Sequence, residues 1–582
     1  MKKFFIAGLG SFLLTIGVVN AQGVAGSIND IYAERFQTAK ANLEKAVAAN
    51  PNDLQATYWL GQAYIGMNDI AGAKAVYDKG LSSSANAPLL MAGLGEVELR
   101  QGKVNEARQH FEMAVTSASG KKGGDPEILN AVGRGIANTY TDKEKKGDIN
   151  FAVAKLTEAS NASTKDNVLK ADIYVNLGNA LLDAKPGENG GAAFTNYQKA
   201  IEANPASAVP NYRMAMLFKT QKNWELFEKY LNDAIAKDPR FAPAYYELAY
   251  FKMGKLDLAA AESFATKFAG AADTDPQNEY LAASMQWAQK NYDRAIQSAK
   301  SITDRLGDKT KARVYKLMAY SYRDKKDTAA GKPFIDQYFA KAAPEEIVAQ
   351  DYSLKADIYS AIPGQEAVVF QSYLDGIKAD TSIDNKLDLL KTGADFFAAR
   401  KQYDKEAQLR QMILNIKPNK NINDYFSTGL ALYRTRDYNQ IMKAYNVFDT
   451  LQQKFPDQQF GYEWKYNTAI LIDTVKRDSI GVPAAAKWLE FAQKDTAKYW
   501  KQISATAYYL ATYYQDKDKA KAIEFLTTMK NVNGRDPAIQ DNIQKNIDIL
   551  SKPTPTRTQQ PATKPKPETQ PPATKPKKPA SK

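Results

Sequence analysis

Two stretches decide how this chain folds: LGQAYIGMNDIAGAKAVYDKG at residues 60–80 and LGEVELRQGKVNEARQHFEMA at residues 94–114. Overlaid, they match Leu60 with Leu94, Gly61 with Gly95, Ala73 with Ala107 and Tyr77 with Phe111, each pair 34 residues apart. Apolar and small residues recur at spacings of three and four, so each half-stretch is an amphipathic helix. The glycine of the first helix leaves room for a neighbouring helix to approach. Ala73 and Ala107 do the same in the second helix, and the large Tyr or Phe fills the gap between packed helices.

The pattern extends outward from there. Tyr174-x-x-Leu177-Gly178 is followed by Ala193, Tyr197, Ala200 and Pro205; Met214-Ala215-x-x-Phe218 is followed by Phe227, Leu231, Ala234 and Pro239. Asn50-Pro51, Asn204-Pro205, Asp238-Pro239, Asp275-Pro276 and Asp536-Pro537 are each expected to end a second helix, because proline lacks an N–H and disfavours helix at the preceding residue. The spacing drifts after about residue 240. Tyr315-Met318-Ala319-Tyr322, Tyr425-Gly429-Leu432-Asp437-Tyr438 and Tyr508-Ala511-Tyr514-Ala522 still carry parts of it. About ten to thirteen units are expected. A plain helical bundle is the alternative for the later half.

The 34-residue helix–turn–helix pattern resembles the tetratricopeptide repeat. The resemblance implies an all-α solenoid, a right-handed superhelix of antiparallel helix pairs in which each pair contacts mainly its neighbours. Well-matched units are expected over residues 22–302. Divergent units should follow over 303–550, closed by a capping helix at 538–550 with Ile539, Ile543, Ile547 and Leu550 on one face. Gly120–Gly124 and Gly187–Gly191 read as loop insertions.

In that family the first helices line the concave surface, and positions two, five, nine, twelve and thirteen contact extended or helical peptides. Carried onto this chain, the resemblance makes Tyr58, Gln62, Asn179, Tyr212, Met216, Tyr246, Tyr250, Tyr320 and Arg323 candidate partner-binding residues, with Gln55, Lys219 and Lys316 beside them. Tyrosine and arginine combine apolar area with hydrogen bonding at low entropic cost. Some of these tyrosines could equally be packing residues between helices. The family's Lys/Asn/Arg carboxylate clamp is not found at matching positions in consecutive units.

The two ends differ from the body. Residues 1–21 read as a secretory signal: Lys2 and Lys3, an apolar run from Phe4 to Val19, then Ala21 before a cut ahead of Gln22. The apolar run is short for a bilayer span, which needs about 20 residues. The mature chain is therefore expected to be exported, to a periplasm or the cell exterior, with a Gram-negative envelope the better fit. Residues 551–582 are rich in Pro, Thr and Lys, with Pro-Ala-Thr-Lys-Pro-Lys at 561–566 and again at 572–577. Such a tail cannot bury enough apolar surface to offset ordering, so disorder is expected. The chain carries a net +13, and Lys552–Lys582 alone has eight Lys/Arg against one Glu. The body is thus nearly neutral. The tail is either a solvated spacer or a weak contact for anionic envelope polymers or head groups. A basic folded face for nucleic acid is not indicated.

Composition also limits the chemistry. With no cysteine and a single histidine, disulfides, iron–sulfur clusters, thiolate nucleophiles and the usual zinc sites are excluded. Phosphate-loop and His-Glu-x-x-His motifs are missing. Gly133-x-Gly135 reads as helix-packing glycine, and His110 as a solvated helix residue. The expected role is a non-enzymatic scaffold without cofactor or metal that binds protein or peptide. A carbohydrate- or nutrient-binding surface protein built on the same helices is the alternative.

Overall fold

A computed structural model of the chain describes residues 23–84, 86–118, 124–140, 145–476, 479–534 and 536–552. The expected signal, most of the Gly120–Gly124 insertion and the basic tail lie outside them. Among the described residues the secondary structure is helical throughout, with no strand. Packing divides the chain into two compact units, Met1–Ala379 and Asp380–Lys582. The boundary expected from the sequence, between residues 302 and 303, lies earlier in the chain.

The first unit starts with helix α1, residues 23–32, and α2 (Phe36–Ala49). Pairs then follow: α3 (Leu54–Gly66) with α4 (Ile70–Ser83), α5 (Pro88–Arg100) with α6 (Val104–Ser117), α7 (Pro126–Ala137) with α8 (Ile149–Asn161), and α9 (Asn167–Ala184) with α10 (Gly190–Ala203). Next come α11 (Val209–Thr220) with α12 (Trp224–Lys237), α13 (Ala242–Gly254) with α14 (Leu258–Ala271), and α15 (Tyr280–Ala288) with α16 (Tyr292–Leu306). The unit ends with α17 (Ala312–Asp324) and α18 (Lys332–Lys341), then α19 (Ala349–Ser360) and α20 (Glu366–Ala379). Each first helix packs on its partner. The first helices of the early pairs also stack on one another, α3 on α5, α5 on α7 and α7 on α9.

The repeat residues do what their sizes dictate. The second helices bury one narrow stripe: Ala73 and Tyr77 in α4, Ala107, Phe111 and Ala114 in α6, Ala193, Tyr197 and Ala200 in α10. Gly61 is required by close approach, since a Cβ there would stand 2.1 Å from Cζ of Tyr77. The room left by the glycine is therefore filled by the aromatic ring of the partner helix.

The turn inside six of these pairs is equally regular. Asn68, Gly102, Lys222, Leu256, Lys290 and Lys326 all have a left-handed backbone, with φ between 56° and 79°. Each lies seven residues after the small residue of its first helix: Gly61, Gly95, Ala215, Ala249, Ala283 and Ala319. An acidic or amide side chain then often caps the next helix, as Asp69 accepts from the Gly72 N–H and Asp257 from the Ala260 N–H.

Two of the five proline steps act differently from expectation. Asn50, Asn204 and Asp238 do terminate helices. Asp275 and Asp536 instead begin elements, each accepting backbone N–H groups while the following proline takes the first position, where a missing N–H costs nothing. In the Gly187–Gly191 insertion, Gly190 already opens α10.

In the second unit, α21 (Ile383–Ala399) pairs with α22 (Tyr403–Ile416) and α23 (Ile422–Arg434) with α24 (Tyr438–Lys454). They are followed by α25 (Gln459–Lys476) with α26 (Gly481–Ala492), α27 (Thr496–Tyr514) with α28 (Lys519–Val532), and α29 (Pro537–Ser551). The left-handed turn recurs at Lys401 and Arg436, seven after Ala394 and Gly429. A Cβ on Gly429 would meet the Phe448 ring at 2.5 Å, as in the first unit. The helix pairs therefore continue where the spacing drifts. Within the second unit longer helices widen the spacing, 17 residues in α21 and α24, 18 in α25 and 19 in α27, against 13 and 14 in α3 and α4. In α29 only Ile543 is buried, and Ile539 is 41 % exposed.

Candidate functional site

The first-helix face of α3 to α9 is a closed polar network. Arg134 of α7 is its centre, 5 % exposed. Its guanidinium lies 4.3 Å from the Trp59 ring centroid, donates to the Tyr58 hydroxyl at 2.8 Å, and reaches Asp172 Oδ2 at 3.0 Å and the Tyr32 hydroxyl at 3.1 Å. Burial works against the guanidinium charge, but the oxygens of Tyr58, Tyr32 and Asp172 outweigh it and hold the group protonated. Asn130 donates to Asp172 at 2.6 Å and accepts from Asn176 at 2.9 Å. Gln62 donates to Glu96 at 2.8 Å and to the Tyr77 hydroxyl at 3.2 Å, and Gln55 donates to Glu127. Burial pushes the Tyr58 phenol up to about 12.

The helix α1 closes this network from the chain's own N-terminal side. The Tyr32 hydroxyl donates to Asp172, and its ring stands edge-on to Trp59 at 6.1 Å. Ala33, 1 % exposed, belongs to a cluster with Phe227, Phe241 and Leu248. Beyond the turn, Thr38 and Gln37 bond to Asp273. Ile28, Asn29 and Tyr32 border a cavity of about 320 Å³ shared with Trp59, Asp172 and Val175.

The sequence candidates fall into three groups. Tyr58 and Gln62 lie inside the network, 1 % and 7 % exposed, and face other side chains rather than solvent. Asn179 accepts from the Tyr197 hydroxyl at 2.8 Å, which ties it to the repeat packing. Tyr212, Met216, Tyr246 and Tyr250 are half-buried. Tyr246 and Tyr250 touch at 4.7 Å and Tyr246 meets Phe268 at 5.5 Å, while Tyr212 and Met216 pack with the Phe241 cluster. Tyr320 and Arg323 form a third group: Arg323 lies 4.8 Å over the Tyr320 ring and pairs with Asp324 at 2.8 Å and Asp357 at 3.5 Å.

A second cavity, about 390 Å³, opens beside Tyr212 and Tyr246 and is edged by Asp273, Lys311 and Arg313. Arg313 donates to the Tyr246 hydroxyl at 3.3 Å, and its Nε is buried without a hydrogen-bond partner.

Glu127, Asn130 and Arg134 were not among the candidates. The signal was present: counted from Gly133 as position eight, they occupy positions two, five and nine. Gly133 itself is a packing glycine, since a Cβ would stand 2.3 Å from Leu156 Cγ. His110 is only partly solvated, with Nδ1 2.8 Å from Glu98 of α5. Among the described residues no cluster of His, Asp and Glu is placed to hold a metal ion. No described helix is long and apolar enough to cross a membrane.

This arrangement of paired helices with small-residue contacts and a first-helix face defines an α-helical repeat protein. Two family models, both described as tetratricopeptide repeat, match residues 31–90 and 61–122, so the chain carries tetratricopeptide repeats over that stretch. The fold is a scaffold of a kind that commonly mediates protein interactions. Solved structures of similar form include the C-terminal part of a tetratricopeptide repeat-containing protein from Cytophaga hutchinsonii, 20 % identical, covering 45 % of this chain and 98 % of that one at a TM-score of 0.27. A tetratricopeptide repeat protein from Parabacteroides merdae is 16 % identical over 45 % and 98 %, with a TM-score of 0.36. Human IFIT1, solved as a dimer with m7Gppp-AAAA, is 11 % identical over 73 % and 94 %, with a TM-score of 0.43. Among curated proteins none matches this sequence significantly.

Proposed function

We propose that this chain is an exported, non-enzymatic scaffold that holds protein or peptide partners on the first-helix face of its first unit, within an assembly of the cell envelope. The observation that carries the reading is the cavity beside Tyr212 and Tyr246. It offers aromatic surface, the Arg313 guanidinium and both signs of charge in one place. Aromatic rings supply contact area, and a guanidinium supplies directed hydrogen bonds to carboxylate or carbonyl oxygens of a peptide. Removal of residues 1–21 on export would leave α1 as the first element of the mature chain. The basic tail would add weak attraction to anionic envelope polymers, with no nucleic acid involved.

Crosslinking in intact cells, followed by pull-down and mass spectrometry, tests the reading. Tyr246→Ala should weaken recovery of the partner, by about 1–2 kcal/mol in affinity if the ring is an anchor, while helicity is kept. Recovery of the same protein set by the wild-type chain and by the Tyr246→Ala chain would reject this face. N-terminal sequencing of the cellular form should begin near Gln22, and an intact Met1 would reject export.

A further inference from the structure

We infer that α1 is a resident ligand of the first-helix face, and that the partner is a protein presenting a helix of the same chemistry: a tyrosine followed by a small residue, with an aliphatic residue four positions before. This rests on the proposed function, because it names what that face recognises and what must leave for recognition to occur.

Three features of α1 support it. First, its contacts fall on the face that stacked helices leave unused. Tyr32 bonds to Asp172 and Arg134, which come from α9 and α7 and already bond to each other. The phenol is a neutral donor there, held so by burial and the neighbouring carboxylate. Second, Asp172 and Arg134 remain partnered without Tyr32, through Asn130 and Tyr58. Withdrawal of α1 therefore leaves Arg134 and Asp172 paired with each other, with Tyr58 and Asn130 beside them, in a seat walled by Trp59. Third, Ile28 and Tyr32 lie four apart, on one side of the helix, and both border the cavity of about 320 Å³. The seat is thus only partly filled by its own occupant. The occupant is joined to α2 by a three-residue turn, with Glu34 in the left-handed region.

The test uses the full mature chain, which has no native cysteine. Ala33→Cys places one thiol at a site that is 1 % exposed. Its labelling by a maleimide should be slow, and a free peptide of residues 22–35 should accelerate it at least about tenfold by taking the place of α1. The same peptide carrying Tyr32→Ala should not. In a second measurement, a fluorescent peptide 22–35 should bind the Tyr32→Ala full chain at least about tenfold more tightly than the wild-type chain. Labelling that ignores the peptide, or equal peptide binding by both folded chains, would overturn the inference. Those results together with Tyr246-dependent capture of a partner would leave the proposed function standing. Peptide exchange without capture of any protein would reject the proposed function and, with it, the protein partner inferred here, leaving α1 only as a displaceable occupant of the seat.

Discussion

Replacing Arg134 by methionine perturbs the network at its centre. The change removes the bonds to Tyr58, Tyr32 and Asp172 and the cation over Trp59. It leaves Asp172 with Asn130 and Tyr32 as donors. Breaking a buried charged pair by removing one partner costs about 3–5 kcal/mol, and methionine restores part of the lost apolar contact. A destabilisation near about 3 kcal/mol is expected, toward the lower end of that range. Asp172→Asn keeps the shape and one acceptor, so about 1–3 kcal/mol is expected from the lost charged hydrogen bonds. The two residues are in direct contact, so the double variant should fall short of the sum by about 1–3 kcal/mol. Urea unfolding followed by circular dichroism gives the total. Hydrogen exchange of α7 and α9 should localise the loss, because repeat units open in segments. A loss below about 1 kcal/mol for Arg134→Met, or strict additivity, would refute the description of these residues as one coupled network.

Three further outcomes follow from the same geometry. Gly61→Ala should destabilise by about 1–3 kcal/mol through the clash with Tyr77, whereas Leu256→Gly should stabilise by about 0.5–1 kcal/mol, since Leu256 holds φ at 61° and is 83 % exposed; thermal melts with shifts of opposite sign check both. The tyrosines Tyr58, Tyr77, Tyr197, Tyr212 and Tyr250 all have phenols raised mainly by burial, Tyr58 to about 12. A raised acid favours the folded state below its unfolded value, so their contribution is whole below pH 10 and is lost as pH rises toward 12 and beyond; absorbance at 295 nm should show a late-ionising tyrosine fraction that joins the early one in urea. Deleting Pro553–Lys582 should leave the melting temperature unchanged within about 1 °C, because a Pro/Lys-rich end contributes few buried contacts.

Much of this protein was legible before any coordinates. Leu60, Gly61, Ala73 and Tyr77, repeated at 34 residues, determine paired helices, because helix periodicity and side-chain size are local properties of the chain. Export and the character of the tail are expectations from composition alone, on residues outside the described ones. The register survives in the later half as well, though drifting spacing obscured it. There the seven-residue step from the small residue to the left-handed turn recurs at Lys401 and Arg436, while the longer helices α21, α24, α25 and α27 stretch the spacing around it.

The tertiary structure alone decided what the first-helix face presents. Position in a repeat says that Tyr58 and Tyr246 point the same way, but not what stands opposite them. Tyr58 meets Arg134 from 76 residues later in the chain, and Tyr32 meets Asp172 from 140 residues later. Such pairings depend on how the stacked helices bring distant first-helix faces together. That curvature is the sum of small rotations at each helix contact, set by side-chain packing across the whole stack rather than by any one repeat. For the same reason Tyr58 became part of a buried network, and Tyr246, at the equivalent position in α13, was left beside an open cavity.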